Sequence, residues 1–457
     1  MRMKSPNCNE RKEAVEILTR VFYEGAYASP LLLASFRAHP EWGERERALI
    51  TNLVYTVLTH YLRLEALINR YAKIPLRRMK PRVAMVLMVS GAQLLWMDRI
   101  PPHAVVDEAV KLVLASPQKH LSGFVNGVLR SMLRENLRES WPEADEDLLA
   151  HLSVRYSLPR WILEMWEEAY GMQMTKRLAR NLTLPRDLSL RCNTLRVDPQ
   201  TLYEELTGSL GEERIGRGHV CEEALTCKGS GDISGWEAFR KGLVTVQDES
   251  SMLASYALDP QPGDRVLDLC AAPGGKSTHM VQRMKNQGLV ESRDLYDHKL
   301  EQIRQNGERL GCSILRGQKG DAAEENPNDR EAWDRVLLDA PCSGFGILRN
   351  KPDLKLHRKP EDIGELAALQ KKMLHAASLC VRPGGVLVYS TCTLSPEENE
   401  KNVEWFLKTH PEYGAKSLEG ILPAGFPASQ IHPTYTYILP EKDYFDGFFL
   451  ARFYKKR

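Results

Sequence analysis

Arg265-Val-Leu-Asp-Leu-Cys-Ala-Ala-Pro-Gly-Gly-Lys-Ser-Thr278 reads as a short buried strand that runs into a glycine-rich turn and then opens a helix. Three more strand-like runs follow it: Leu289-Val-Glu-Ser-Arg-Asp294, Arg335-Val-Leu-Leu-Asp339 and Gly385-Val-Leu-Val-Tyr-Ser390. Helical spacers such as His298–Leu310 and Glu361–Cys380 separate them. This alternation predicts a doubly wound, mostly parallel Rossmann-like α/β sheet from about Gly242 onward. Ligands of such a sheet sit at the C-terminal ends of its strands.

The glycines of the turn let backbone approach a ligand closely, and three ligand classes compete for it. A phosphate loop needs G-x-x-x-x-G-K-[ST], but Cys270 stands where the first glycine belongs. With Arg335-Val-Leu-Leu-Asp339 as an acidic strand, an NTPase remains an alternative on motif grounds. A dinucleotide loop needs a spacing that the turn lacks. S-adenosylmethionine carries no phosphate; it offers ribose hydroxyls, an adenine ring and an amino-acid end. Asp294, ending the second strand, is placed for the ribose, and Asp321, after the third, for the adenine amino group. Asp297 is the better N-cap of the helix after Asp294, and a cap role is the bland alternative for Asp321.

Two dipeptides, Pro341-Cys342 and Thr391-Cys392, lie just past apolar strands of the same sheet. A lone cysteine at a strand end is most often an inert buried thiol. Two of them at strand ends beside a cofactor loop point instead to paired thiol chemistry on a bound substrate.

The 457 residues are too many for one ordinary core, and 43% hydrophobic with 27% charged residues fits a globular chain. We expect an all-α bundle over 1–140, a small α/β module over 141–241 and the Rossmann-like domain over 242–457. Met1–Glu10 is polar and shows no secretory signal. The apolar run Val83–Met97 is broken by Ser90, Gly91 and Gln93, which makes it a buried helix rather than a membrane span. Nine cysteines without a framework fit reduced thiols in the cytoplasm, and Cys221 with Cys227 lacks the second pair a zinc site needs. No metal is expected. Within residues 1–140, 21 Lys+Arg face 13 Asp+Glu, whereas the rest of the chain holds 41 against 47. Arg70 to Arg82 contains Arg70, Lys73, Arg77, Arg78, Lys80 and Arg82 and no acid. A polyanion is the natural partner of such a stretch.

Arg45–Tyr55, Ile100-Pro-Pro-His-Ala-Val-Val-Asp-Glu-Ala-Val110 and Gly123-Phe-Val-Asn-Gly-Val-Leu-Arg130, in that order, resemble the helical RNA-binding domain of the NusB family. Asp268-Leu-Cys-Ala-Ala-Pro-Gly-Gly-Lys276, Leu338-Asp-Ala-Pro-Cys-Ser-Gly344, Tyr389-Ser-Thr-Cys-Thr393 with Pro396-Glu-Glu-Asn-Glu400, and Asp446-Gly-Phe-Phe449 resemble the RNA 5-methylcytosine methyltransferases. Joined in this order, the two halves are similar to the bacterial members of that family that act on 16S ribosomal RNA. The resemblance implies that Cys270, Ala271, Ala272, Pro273, Gly274, Gly275, Lys276, Asp294, Asp321 and Asp339 contact S-adenosylmethionine or line its pocket. It also implies that Cys392 is the nucleophile and that Cys342 helps release the product; a carboxyl near the ring edge would stabilise the charge change at cytosine N3, and Asp339 is the candidate. Cysteine chemistry alone leaves open which thiol attacks. Arg77, Arg78, Lys80 and Arg82, with Arg349 and Lys351 beyond Cys342, are candidate RNA contacts. We expect a monomer acting on naked or early-assembly 16S RNA. A transfer-RNA methyltransferase and a non-catalytic RNA-binding assembly factor are the alternatives. One departure from relatives stands out: Glu291-Ser-Arg293 precedes Asp294, where an apolar residue is usual.

Overall fold

The computed structural model describes residues 10–137, 142–229, 233–427, 430–441 and 444–457. The polar N-terminus expected to lack a signal therefore lies, but for Glu10, outside the described residues, as does part of the polar stretch Arg134–Asp147. The chain separates into two compact units, one of residues 1–183 with 348–357, the other of 184–347 with 358–457. The stretch 141–183 thus groups with the helices before it.

In the first unit the helices are Glu10–Glu24, Ala28–Ala38, Glu44–Thr59, Tyr61–Tyr71, Pro81–Trp96, Pro102–Leu114, Ser122–Arg134, Leu148–Tyr156 and Arg160–Asn181. Breaks in the sequence pattern become helix starts: Gly43 caps one helix, and Pro81 and Pro102 each take a first helical position, where a missing N–H costs nothing. The run expected as a buried helix is the centre of the bundle, with every residue from Val83 to Gln93 buried. Leu53, Val57, Leu64 and Leu67, spaced at helical intervals, pack around it.

Segment 348–357 belongs to this unit through two helix ends. The Asp353 carboxylate accepts the Ala28 amide at 2.8 Å, at the start of helix Ala28–Ala38. The Lys355 ammonium donates to the Thr59 carbonyl at 2.9 Å, at the end of helix Glu44–Thr59. Each charge thus meets the helix pole of opposite sign. Burial pulls the Lys355 ammonium down to about 7.

Two sheets make up the second unit. The smaller is antiparallel, in the order β2-β3-β1-β4, with β1 Leu188–Cys192, β2 Ile215–Arg217, β3 Ala224–Cys227 and β4 Val244–Val246. The larger contains β5 Arg265–Asp268, β6 Leu289–Asp294, β7 Leu315–Lys319, β8 Trp333–Asp339, β9 Val381–Thr391, β10 Tyr413–Ala415, β11 Thr436–Ile438 and β12 Phe448–Lys455. Its order is β10-β12-β9-β8-β5-β6-β7, with β11 pairing β12. Strands β5 to β9 pair in parallel, and β10, β11 and β12 join antiparallel. From β5 the chain winds outward to β6 and β7, then returns to β8 on the other side. The crevice between β5 and β8 is therefore the switch point where a ligand is expected. Loop Cys270–Gly274 leaves one side of it and loop Asp339–Gly344 the other.

Candidate active site

Helix Gly275–Arg283 begins directly after the glycine turn, with Gly274 left-handed at φ 96° in the capping position. The turn is pinned at its base: the Leu269 amide donates to the Leu337 carbonyl at 3.0 Å, and the Ala271 amide to the Arg293 carbonyl at 2.9 Å. Lys276, from the first turn of that helix, reaches across the switch point to Asp339 Oδ2 at 2.6 Å. Burial alone would discharge the Lys276 ammonium, but Asp339 overcomes it and holds the ammonium above its ordinary value. Ser390, near the end of β9, donates to the other Asp339 oxygen at 2.7 Å. Asp339 is thus fixed from both sides.

Cys342 and Cys392 meet beside this pair, with their sulfurs 3.3 Å apart. The loops that carry them are joined by backbone. The Gly346 amide donates to the Cys392 carbonyl at 3.0 Å, and the Gly447 amide to the Gly346 carbonyl at 2.8 Å. A Cβ on Gly346 would lie 1.9 Å from the Gly447 oxygen, so no other residue fits there. The hydrogen bond with Cys392 and then burial push the Cys342 thiol well above its ordinary value. Cys342 therefore holds its proton more tightly than a free thiol does.

Three carboxylates line the cofactor side. Asp268, fully buried at the end of β5, accepts from Ser277 Oγ at 2.6 Å, while its Oδ1 has no hydrogen-bond partner among the described residues. Burial raises its carboxyl to about 7. Asp294, at the end of β6, pairs with Lys299 at 3.1 Å and faces the Ala272 amide at 3.4 Å. Burial, then the charges of Asp339, Asp268 and Asp294, raise the Cys270 thiol. An anionic phosphate chain would be repelled here, and the lysine it needs is held by Asp339. The cationic sulfonium and ammonium groups and the ribose hydroxyls of S-adenosylmethionine suit the same donor set. Residues Cys270–Lys276, Asp268 and Asp294 would hold it.

Asp321 follows Gly320, whose amide donates to the Asp294 carbonyl at 3.2 Å. It is exposed beyond β7, and its carboxylate accepts the Ala323 amide at 2.9 Å, closing its own turn. It shares a cavity of about 280 Å³ with Leu269, Arg293 and Ala322, next to the loop. Asp297 does not cap its helix; Tyr296 occupies that position without a side-chain bond, and Asp297 pairs instead with Lys319. The unusual Glu291-Ser-Arg293 also finds its reason. The Arg293 guanidinium binds Asp329 through two bonds of 2.6 and 2.8 Å and also pairs with Glu291, a buried bridge in place of an apolar contact.

Of the expected RNA contacts, Arg77 is paired with Glu65 at 2.6 Å and Arg82 with Glu16 at 3.5 Å, so neither is a free charge. Arg78, Lys80 and the neighbouring Lys73 are exposed and make no ion pair among the described residues. Arg349 is half-buried and Lys351 exposed, both in the segment grouped with the helices.

The sequence reading missed Arg191. It is fully buried on β1 and donates to the Gly275 carbonyl at 2.7 Å and to Thr278 Oγ1 at 2.9 Å, propping the first turn of the cofactor helix from the small sheet. An isolated arginine between apolar residues on a short strand, in Leu188-Ser-Leu-Arg-Cys192, gives no motif to find it by.

The family model of the 16S rRNA methyltransferase RsmB/F matches residues 255–454, and that of the NusB family residues 8–134. The probable ribosomal RNA small subunit methyltransferase B of Bacillus subtilis is 37% identical over 98% of both chains. The ribosomal RNA small subunit methyltransferase B of Klebsiella pneumoniae is 33% identical over 99% of both. Among solved structures, that of PH0851 aligns with a TM-score of 0.79 at 27% identity, covering 99% of this chain and all of its own. A full-length match at this identity settles kinship: the chain belongs to the RsmB/F family of 16S rRNA methyltransferases, with a NusB-family domain at its N-terminal end.

Proposed function

We propose that the protein methylates C5 of a cytosine in 16S ribosomal RNA, with S-adenosylmethionine as donor and a covalent Cys392–C6 adduct as intermediate. The observation that carries this reading is the pair of sulfurs 3.3 Å apart at the ends of β8 and β9, beside the Lys276–Asp339 bridge. Cytosine C5 is a poor nucleophile because its electrons belong to the ring. Addition of the Cys392 thiolate to C6 breaks that conjugation and makes C5 enamine-like. Asp339, fixed by Lys276 and Ser390, faces the ring edge and stabilises the change of charge at N3.

When bound, S-adenosylmethionine supplies an electrophilic methyl group on a sulfonium, and the activated C5 takes it. Once Cys392 is bonded to carbon, the hydrogen bond that raised the Cys342 thiol is gone. Cys342 then ionises to solvent and accepts the C5 proton. The C5–H electrons re-form the C5–C6 double bond, and the C6–S pair returns to Cys392. A thiol kept protonated until the adduct forms suits this release role.

The target base must be unpaired or turned out of its stack. Lys73, Arg78 and Lys80 on the helical unit add affinity independent of sequence. Tritium transfer from the labelled donor to 16S RNA, followed by nucleoside analysis, tests the reading. It expects 5-methylcytosine from 16S RNA and none from transfer RNA. Label in transfer RNA alone, or in another nucleoside, contradicts it.

A further inference from the structure

Glu398 and Asn399, in the Pro396-Glu-Glu-Asn-Glu400 segment, make no hydrogen bond to either sulfur, yet together with Gln370 they hold the residues on both sides of each cysteine. Around Cys342, the Ser343 amide donates to Glu398 Oε1 at 2.9 Å and the Ser343 hydroxyl to Oε2 at 2.5 Å. Gln370, from helix Pro360–Cys380, donates to the Pro341 carbonyl at 2.9 Å and to Glu398 Oε1 at 3.0 Å. Around Cys392, the Thr391 hydroxyl donates to Asn399 Oδ1 at 2.6 Å, and Asn399 Nδ2 donates to the Thr393 carbonyl at 3.0 Å. Thr393 then joins the two halves, its hydroxyl 2.6 Å from that of Ser343. Glu398 is itself anchored, its backbone carbonyl accepting from Tyr389 Oη at 2.6 Å and Asn402 Nδ2 at 3.1 Å.

Every side chain named in this bracket is fully buried. A buried carboxyl is costly, and here burial raises it even against its three donors. For stability alone, an apolar contact between the two loops would serve at less cost. What the carboxylate adds is direction: two acceptor oxygens that fix the Cys342 loop against the strand end carrying Cys392.

We propose that Glu398 is the positioning residue of the thiol pair, holding Cys342 at the distance from Cys392 at which it can release the methylated base. The inference rests on the covalent reading above. Glu398 binds no part of the cofactor loop, so its loss spares donor binding and the first half of the reaction. It impairs the release step that needs the second sulfur in place.

The test uses the full-length protein with Cys342 intact. In Glu398→Ala, the donor's Kd stays within about twofold of wild type while kcat falls roughly 100-fold, the scale of a one-ångström misplacement. An RNA–protein adduct that survives denaturation accumulates, as it does in Cys342→Ala. Glu398→Gln keeps one acceptor for the Ser343 amide and recovers most of the turnover. Ser343→Ala keeps the amide bond to Glu398 but loses the hydroxyl's contacts with Glu398 and Thr393, and it gives a weaker version of the same phenotype, which decides the matter if the alanine variant at 398 does not fold. Wild-type turnover in both Glu398→Ala and Ser343→Ala, or loss of turnover without adduct, overturns the proposal. If Cys342→Ala itself gives no adduct, the covalent reading has failed, and the positioning role falls with it.

Discussion

At the ends of β8 and β9 a set of buried polar side chains, Ser343, Gln370, Thr391, Thr393, Glu398 and Asn399, are each bonded to a partner on another segment. The centre of the helical unit is built the opposite way. From Val83 to Gln93 its buried residues are apolar or small, and the two polar ones, Ser90 and Gln93, bond to the Val86 and Val89 carbonyls of their own helix. An apolar core is held by the area it removes from water and accepts swaps of similar volume. A buried polar network is directional; it is stable only when every member is in place, and it fixes geometry to a fraction of an ångström. The chemistry therefore belongs to the first region. The centre of the helical unit is held mainly by apolar contacts, with Arg11 bonding Gln93 between helices at 2.7 Å.

Arg191→Met gives the largest effect that would sharpen this contrast. It leaves the Gly275 carbonyl and Thr278 without their buried donor, at a cost of about 3 kcal/mol. The melting temperature falls, and the donor binds more weakly as the first turn of its helix loosens. An unchanged melting temperature would mean that the small sheet does not brace the cofactor loop.

Asp268 tests the same region through pH. Its carboxyl rises from 3.8 to about 7 on folding, so across that window the folded chain keeps a proton the unfolded chain has lost. Stability contributed by the protonated form is present below pH 4 and is lost as pH rises toward 7. Asp268→Asn removes this loss. Denaturant melts at pH 5 and 7.5 without donor will then differ less for the variant than for wild type; an equal difference would contradict the assignment.

The smallest effect belongs to the surface of the helical unit. Replacing Lys73, Arg78 and Lys80 with alanine leaves the melting temperature unchanged and lowers the salt dependence of RNA binding by roughly 2 in log-log slope. Arg77→Ala, at a position already neutralised by Glu65, changes that slope less. Equal effects from the two variants would show that pairing in the folded chain does not govern which cations meet RNA.

Motif-bearing positions were legible in the sequence because their constraints are local. The strand Leu289–Asp294 and the helix ending at Cys380 fall where apolar alternation and helical spacing put them. Glycine turn, acidic strand ends and both cysteines could be read from short stretches for the same reason. What could not be read depends on contacts between distant segments. Arg191 acquires its meaning only when β1 meets a helix more than 80 residues on. Arg293 makes sense once Asp329 is brought beside it. The stretch 348–357, which follows the Cys342 loop in sequence, joins the helical unit through Asp353 and Lys355, and nothing in its composition announces that. Likewise the charge run at Arg70–Arg82 overstated the basic surface, because Glu65, Glu16 and Glu135 lie against three of its six cations.

The central claim is that Cys392 attacks the base and Cys342 releases it. Incubation of Cys342→Ala with 16S RNA and S-adenosylmethionine, followed by a denaturing gel, addresses both roles at once. The account predicts a protein–RNA band that survives denaturation in this variant and disappears when Cys392 is also replaced by alanine. A band that persists in the double variant, or one that forms in Cys392→Ala alone, would contradict it.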